Sequence, residues 1–106
     1  MTFTKGIGTP TYMSPEVLNK EHYKKPSDIY SFSITMYEVM KWGEAYSISE
    51  FKYSWQIADF VQSGKRLDLE FIENETIKEI ISNSWKQNPY ERLTIDQIIT
   101  KLESII

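Results

Sequence analysis

The 106-residue chain has no cysteine and only one histidine, His22. Disulfides, thiol chemistry and a zinc site built from Cys and His are therefore excluded, and the cytosol or nucleus is the expected compartment, with the cytoplasm as our assignment. His22 lies in a connection rich in Lys, Glu and Tyr, which is typical of a solvated surface residue and not of a metal ligand or catalytic base. The sequence therefore predicts no metal site.

The chain also lacks a long apolar run and an excess of positive charge. No stretch approaches the ~20 apolar residues of a membrane span, and the N-terminus has no signal-peptide core. The 12 basic residues are scattered among 15 acidic ones, for a net charge of −3. A protein without a cationic face has little attraction for nucleic acid or for an anionic membrane, so we expect neither as a partner.

The remaining composition, 41% hydrophobic and 25% charged, is typical of one soluble globular unit. Ser14-Pro15-Glu16 predicts a short helix that begins at Pro15, because Ser is a good N-cap and Pro is tolerated in the first turn. Helical spacing of apolar residues predicts four longer helices over residues 28–42, 50–63, 75–86 and 94–106. Residues 65–70 form an extended piece too short for a sheet, so the predicted class is all-α.

The segment 28–42 has apolar residues around nearly its whole circumference, which predicts a buried helix. We expect Ser27 or Asp28 as its N-cap and Gly43 as its end. The segment 50–63 is predicted to bury a broad face that includes Phe51, Trp55 and Phe60, to leave Asp59 in solvent and to end at Gly64. Thr94 and Gln97 form a capping box at the start of the last helix.

Spacing alone predicts no active site. Gly6-Ile7-Gly8 is half of a phosphate-binding loop at best, because it lacks a preceding strand and the Gly-Lys-Ser/Thr ending. Asp59-Phe60-Val61 is similar to a metal-binding Asp-Phe-Gly, but it lies inside an amphipathic helix.

Three motifs occur in a recognisable order: Gly8-Thr9-x-x-Tyr12-Met13-x-Pro15-Glu16, then Ser27-Asp28-Ile29-Tyr30-Ser31-Phe32, then Trp85 with Asn88-Pro89-x-x-Arg92. Together they resemble the C-terminal part of a eukaryotic protein kinase domain of the Ser/Thr or tyrosine-kinase-like type. The resemblance covers residues 1–106, from the activation segment to the last helix of the C-terminal lobe. It implies a helical fragment of a kinase domain.

The resemblance also implies roles for individual residues. Thr9 is expected to lie against the catalytic loop, and Pro10 and Met13 to form the pocket for the substrate residue that follows the phosphorylated one. Asp28 is expected to bond the backbone of the catalytic loop. Glu16 and Arg92 are expected to form a buried ion pair, whereas we expect the side chain of Arg66 in solvent. Thr2 and Thr4 occupy the region where activation-loop phosphorylation occurs, although threonines in a polar loop are more often merely solvated.

The chain departs from the family in having Ser33 where a Gly is usual and Ser84 where a Cys is common, both small residues. The glycine-rich loop, the strand Lys, the His-Arg-Asp loop and the Asp-Phe-Gly are absent, so the chain alone holds no catalytic residue and no cofactor, Mg-ATP belonging to the complete domain. We expect part of a protein kinase acting on Ser/Thr hydroxyls, with the upstream half of the domain and a protein substrate as partners. The alternative is a free-standing helical interaction module or inactive remnant. If the upstream half normally covers the buried helix, the isolated chain should self-associate through the face left uncovered.

Overall fold

The computed structural model describes residues 10–19 and 25–105. These residues form five α-helices, α1 (Pro15–Leu18), α2 (Lys25–Lys41), α3 (Ser54–Gln62), α4 (Glu75–Ser84) and α5 (Ile95–Glu103), with 3-10 turns at Pro10–Tyr12 and Pro89–Glu91. The predicted all-α class is confirmed, since the described residues include no strand. None of the described helices is long and apolar enough to cross a membrane.

Helix α2 lies at the centre of the fold, against α4 and against the first 3-10 turn. Tyr30, Ile34 and Tyr37 face a large core cluster that also contains residues of α3 and α4, such as Val61 and Ile81. On another side of α2, Ile29 packs in a smaller cluster with Ile80 of α4 and Ile98 of α5. Apolar residues on several sides of α2 are therefore buried, as the sequence predicts.

The last turns of α2 are the part of this apolar helix that the described chain leaves uncovered. Val39 is 61% exposed and Trp42 is 91% exposed, because no other element of the described chain covers this end. The helix also begins at Lys25, so Ser27 and Asp28 lie in its first turn and are not N-caps. The last helical residue is Lys41. Trp42, and not Gly43 as predicted, takes the left-handed position after the helix, with a φ of 60° and its N–H bonded to the carbonyl of Glu38 at 2.8 Å.

Helix α3 is shorter than predicted and buries fewer aromatic residues. It begins at Ser54, and Phe51 precedes it, packing edge-to-face on Tyr46 and Phe60. The prediction that Trp55 is buried is wrong, since 62% of its surface is exposed. The predicted end at Gly64 is confirmed: Gly64 has a φ of 93°, its N–H donates to the carbonyl of Val61, and the N–H of Lys65 donates to the carbonyl of Phe60.

The capping box of α5 is confirmed, with Gln97 N–H donating to the Thr94 hydroxyl at 3.2 Å and Thr94 N–H donating to the Gln97 side chain at 2.8 Å.

Both small-residue departures from the family fit the core. Ser33 is fully buried, and its hydroxyl donates to the carbonyl of Tyr30. Ser84 is fully buried too, but its hydroxyl has no hydrogen-bond partner within the described residues.

The side chain of Arg66 is not solvated as predicted but half-buried. Its Nε donates to the carbonyl of Trp85 at 2.7 Å and its Nη1 to the carbonyl of Val61 at 3.1 Å. These carbonyls lie at the C-terminal ends of α4 and α3, where helices have no internal donor and a negative dipole end. The guanidinium is therefore attracted into the fold by two helix ends.

Candidate functional site

The opening segment, residues 10–16, is held against α2. Pro10 is buried, and Met13 is half-buried and packs on the large core cluster. The 3-10 turn closes with a bond from the N–H of Met13 to the carbonyl of Pro10 at 3.2 Å. Ser31 of α2 donates its hydroxyl to the carbonyl of Tyr12 at 2.7 Å. The backbone of the turn is therefore fixed at a helix whose own position is set by the core.

A second contact joins the side chain of Tyr12 to α2. The Tyr12 hydroxyl donates to the carboxylate of Glu38, which also accepts the N–H of Ala45 at 2.9 Å. The bond to Glu38, partial burial and the negative charges of Glu38 and Glu44 raise the pKa of the Tyr12 hydroxyl. Glu38 thus connects the opening turn to the loop that follows α2.

Glu16 lies in the short helix α1 and forms a bidentate ion pair with Arg92. The Nη1 and Nη2 atoms of Arg92 lie 2.7 and 2.8 Å from the two carboxylate oxygens of Glu16, and both side chains are buried. Ser27 donates its hydroxyl to the same carboxylate at 2.9 Å. Although Ser14 stands at the N-cap of α1 with extended backbone, its side chain makes no cap bond.

The surroundings of Glu16 favour its charged form. Burial on its own would raise the pKa of this carboxyl group, but the hydrogen bonds from Arg92, from its own backbone N–H and from Ser27, together with the charge of Arg92, lower it to about 2. The pair is therefore ionised at neutral pH.

Arg92 connects three parts of the chain. Besides Glu16, its guanidinium donates to the carbonyl of Pro26 at 2.9 Å and to that of Lys86 at 2.8 Å, and it lies 5.3 Å from the ring centroid of Tyr30. Because one side chain bonds α1, the start of α2 and the segment after α4, the opening segment is anchored on the last third of the chain.

Asp28 is exposed in the first turn of α2, where it lines a groove of about 490 Å³ between this turn and the segment 89–95. Ile29, Leu93 and Ile95 give the groove apolar walls. The substrate-pocket residue Thr9 and the phosphorylation candidates Thr2 and Thr4 lie outside the described residues, as does His22. The structure thus brings Pro10, Met13, Glu16 and Arg92 to one side of α2 without testing the substrate roles of the first two.

Sequence reasoning missed Glu38. It is the only acidic residue of α2 after Asp28, and a lone carboxylate in an otherwise apolar helix is a signal that a partner is needed.

Within residues 10–19 and 25–105, no three His, Cys, Asp or Glu side chains are grouped so that they could hold a metal ion. What the described arrangement does chemically is to fix a loop, not to activate a nucleophile.

Comparison with known proteins identifies the family of this chain. Residues 3–102 match the family described as protein tyrosine and serine/threonine kinase. The chain is 34% identical over 104 residues to the probable serine/threonine-protein kinase gdt2 of Dictyostelium discoideum, covering 93% of this chain and 6% of that protein.

Two other serine/threonine kinases match this chain with similar identity and coverage. The RGS domain-containing serine/threonine-protein kinase A of Dictyostelium discoideum is 31% identical, covering 97% of this chain and 9% of its own length. The serine/threonine-protein kinase WNK3 of Mus musculus is 36% identical, covering 88% of this chain and 5% of its own length. The chain thus spans less than a tenth of each of these relatives, and it belongs to the protein tyrosine and serine/threonine kinase family.

Proposed function

We propose that the chain is part of a protein kinase that transfers the γ-phosphate of Mg-ATP to Ser or Thr hydroxyls of proteins in the cytoplasm. The observation that carries the proposal is the buried pair of Glu16 and Arg92, which holds the opening segment in a fixed position on the last helices. Phosphoryl transfer depends mainly on positioning, and a fixed loop next to the acceptor is what such a reaction needs. The names of the relatives as serine/threonine kinases support the same class.

In this proposal the chain contributes substrate docking and structure but no chemistry. Pro10 and Met13 form the pocket for the substrate residue after the acceptor, and Thr9 lies against the catalytic loop beside the bound substrate. Phosphorylation of Thr2 or Thr4 regulates the segment. Pro10 is buried and Met13 is half-buried against the core cluster, and this packing supports a role as rigid pocket walls. ATP and Mg²⁺ bind to residues that this sequence does not contain.

The partner that completes the domain is the upstream half of a kinase. The described elements leave the last turns of α2 uncovered, where Val39, Met40 and Trp42 are exposed. Exposed apolar side chains grouped at one helix end are typical of a contact surface. Further helices would cover this end, and in this proposal the upstream half supplies them.

The test compares the 106-residue chain with the same chain joined to its upstream coding sequence. The longer protein should bind Mg-ATP and phosphorylate a generic Ser/Thr substrate, and the chain alone should do neither. A stoichiometric micromolar calorimetric isotherm of Mg-ATP with the chain alone would contradict the assignment of nucleotide binding to the upstream half.

A free-standing interaction module is the second candidate, favoured by the exposed side chains of Val39, Met40 and Trp42 at the end of α2. If the upstream half normally covers α2, the isolated chain should self-associate or bind a hydrophobic dye. A monomer at high concentration in sedimentation, with dispersed amide spectra and no dye binding, would favour the module instead.

A further inference from the structure

The start of α3 carries two stacked aromatic rings on the surface. The rings of Tyr53 and Trp55 are nearly parallel, 8° apart with centroids separated by 6.4 Å, yet they are 51% and 62% exposed. Two hydrogen bonds hold the backbone of Tyr53, since its N–H donates to the Gln56 side chain at 2.8 Å and its carbonyl accepts the Gln56 N–H at 3.0 Å. The pair is therefore an ordered aromatic platform that the described core does not use.

This platform already attracts a cation. The ammonium group of Lys52 lies 5.6 Å from the ring centroid of Tyr53, a distance at which the negative face of the ring attracts positive charge. With 62% of its surface exposed, Trp55 has ring surface left for a second cation, and tryptophan is the best aromatic side chain for this contact.

A free carboxylate lies one turn further along the same helix. Asp59 is the only charged residue of α3, it is exposed, and it belongs to none of the ion pairs within the described residues. Residues four apart are neighbours on one side of a helix, about 5–6 Å between Cβ atoms, so Asp59 flanks Trp55. An exposed indole and an uncompensated carboxylate at this spacing match the flat face and the charge of a guanidinium.

We infer that the surface formed by Tyr53, Trp55 and Asp59 binds an arginine-bearing segment of a protein partner. The guanidinium stacks on Trp55 and donates in a bidentate manner to Asp59, a combination that lysine cannot reproduce because its ammonium is a compact point charge. The net charge of −3 favours a cationic partner over an acidic one. This goes beyond the proposed kinase function, because the binding needs neither nucleotide nor the upstream half.

The experiment measures fluorescence anisotropy of a short labelled peptide with two arginines as the 106-residue chain is added at low salt. A peptide of the same sequence with citrulline in place of arginine keeps the planar group and removes the charge. We expect saturable binding of the arginine peptide, with Trp55→Ala and Asp59→Asn each weakening it about ten-fold. The matched controls are Trp42→Ala, which removes another exposed tryptophan, and Glu103→Gln, which removes another exposed carboxylate.

The inference would be overturned by no saturable binding of the arginine peptide, by equal affinity for the citrulline peptide, or by equal loss of affinity in Trp42→Ala and Trp55→Ala. A proline-rich peptide without arginine that binds as tightly would also overturn it, since stacking alone would then suffice. Because all four substituted side chains are exposed, circular dichroism should give the same spectrum for every variant. Phosphorylation by the longer protein tests the kinase function separately, and its failure would leave these affinities unchanged.

Discussion

Replacing Arg92 with Ala removes four hydrogen bonds from the interior of the fold, two of them to the Glu16 carboxylate. The change leaves the Glu16 carboxylate buried with only Ser27 and a backbone N–H as donors, and removal of one partner of a buried pair costs about 3–5 kcal/mol. The carbonyls of Pro26 and Lys86 also lose a donor, at about 1 kcal/mol each. Because Ser27 still bonds the carboxylate, we take the low end for the pair and expect about 4–5 kcal/mol in all.

That loss is comparable with the whole stability of a small domain, about 5–15 kcal/mol. The midpoint of urea unfolding, followed by far-UV circular dichroism, should therefore fall to a much lower urea concentration in Arg92→Ala. The control is Lys86→Ala, which removes an exposed cation from the same segment but keeps the backbone carbonyl. Arg92→Lys should fall between the two, because it keeps the charge and loses the bidentate geometry. Equal unfolding midpoints for Arg92→Ala and Lys86→Ala would refute the reasoning.

The ion pair of Glu16 and Arg92 also predicts how the free energy of unfolding of the unmodified chain changes with pH. The folded pKa of Glu16 is about 2, below the ordinary value of 4.5, so the stabilisation is fully present above pH 4.5 and is lost as the pH falls toward 2. At about 1.4 kcal/mol per pKa unit, this corresponds to roughly 3 kcal/mol. In Glu16→Gln, the free energy of unfolding should therefore fall less steeply between pH 4.5 and pH 2. The same slope in the variant and the unmodified chain would show that Glu16 is not the cause of the acid dependence.

Two substitutions should stabilise the chain. Ser84→Ala removes a buried hydroxyl that has no partner within the described residues, and it should raise the free energy of unfolding by about 1 kcal/mol; a clear loss in urea unfolding would show that the hydroxyl is bonded. Trp42→Gly relieves the left-handed backbone at φ 60°, which costs an L-residue roughly 1–2 kcal/mol, and should raise the urea midpoint. Trp42→Ala keeps the strained φ and should leave the midpoint almost unchanged, so equal gains for the two variants would contradict the backbone explanation.

The parts of the fold that the sequence predicts correctly depend on residues close together in the chain. Pro15 begins α1, Thr94 and Gln97 cap α5, and Gly64 ends α3, because each signal needs only the backbone within four residues. The predicted start of α2 at residue 28 is three residues late, since Pro26 is tolerated within the first turn and Ser27 and Asp28 are equally acceptable there.

What the sequence cannot give is which side of a helix has a neighbour. Trp55 and Val39 fit an apolar pattern, yet both are exposed because the described elements leave those faces open. Arg66 is half-buried because the tertiary fold brings together two helix ends that are 24 residues apart, Val61 and Trp85. The pair of Glu16 and Arg92, 76 positions apart, was expected from the family resemblance and not from any spacing.

The aromatic ring of Tyr30 has a consequence for the charge balance of the interior. The guanidinium groups of Arg66 and Arg92 each lie 5.3 Å from the centroid of this ring, so two cations share one aromatic neighbour. Among the described residues, the anion that pairs with this cluster is Glu16. Arg66 has its pKa lowered by burial and by the charge of Arg92, with Glu16 acting in the opposite direction. Loss of Arg92 therefore leaves one cation and one anion, whereas loss of the Glu16 charge leaves two cations facing the same ring with no counter-ion. The anion is therefore the scarcer of the two signs in this cluster of described residues.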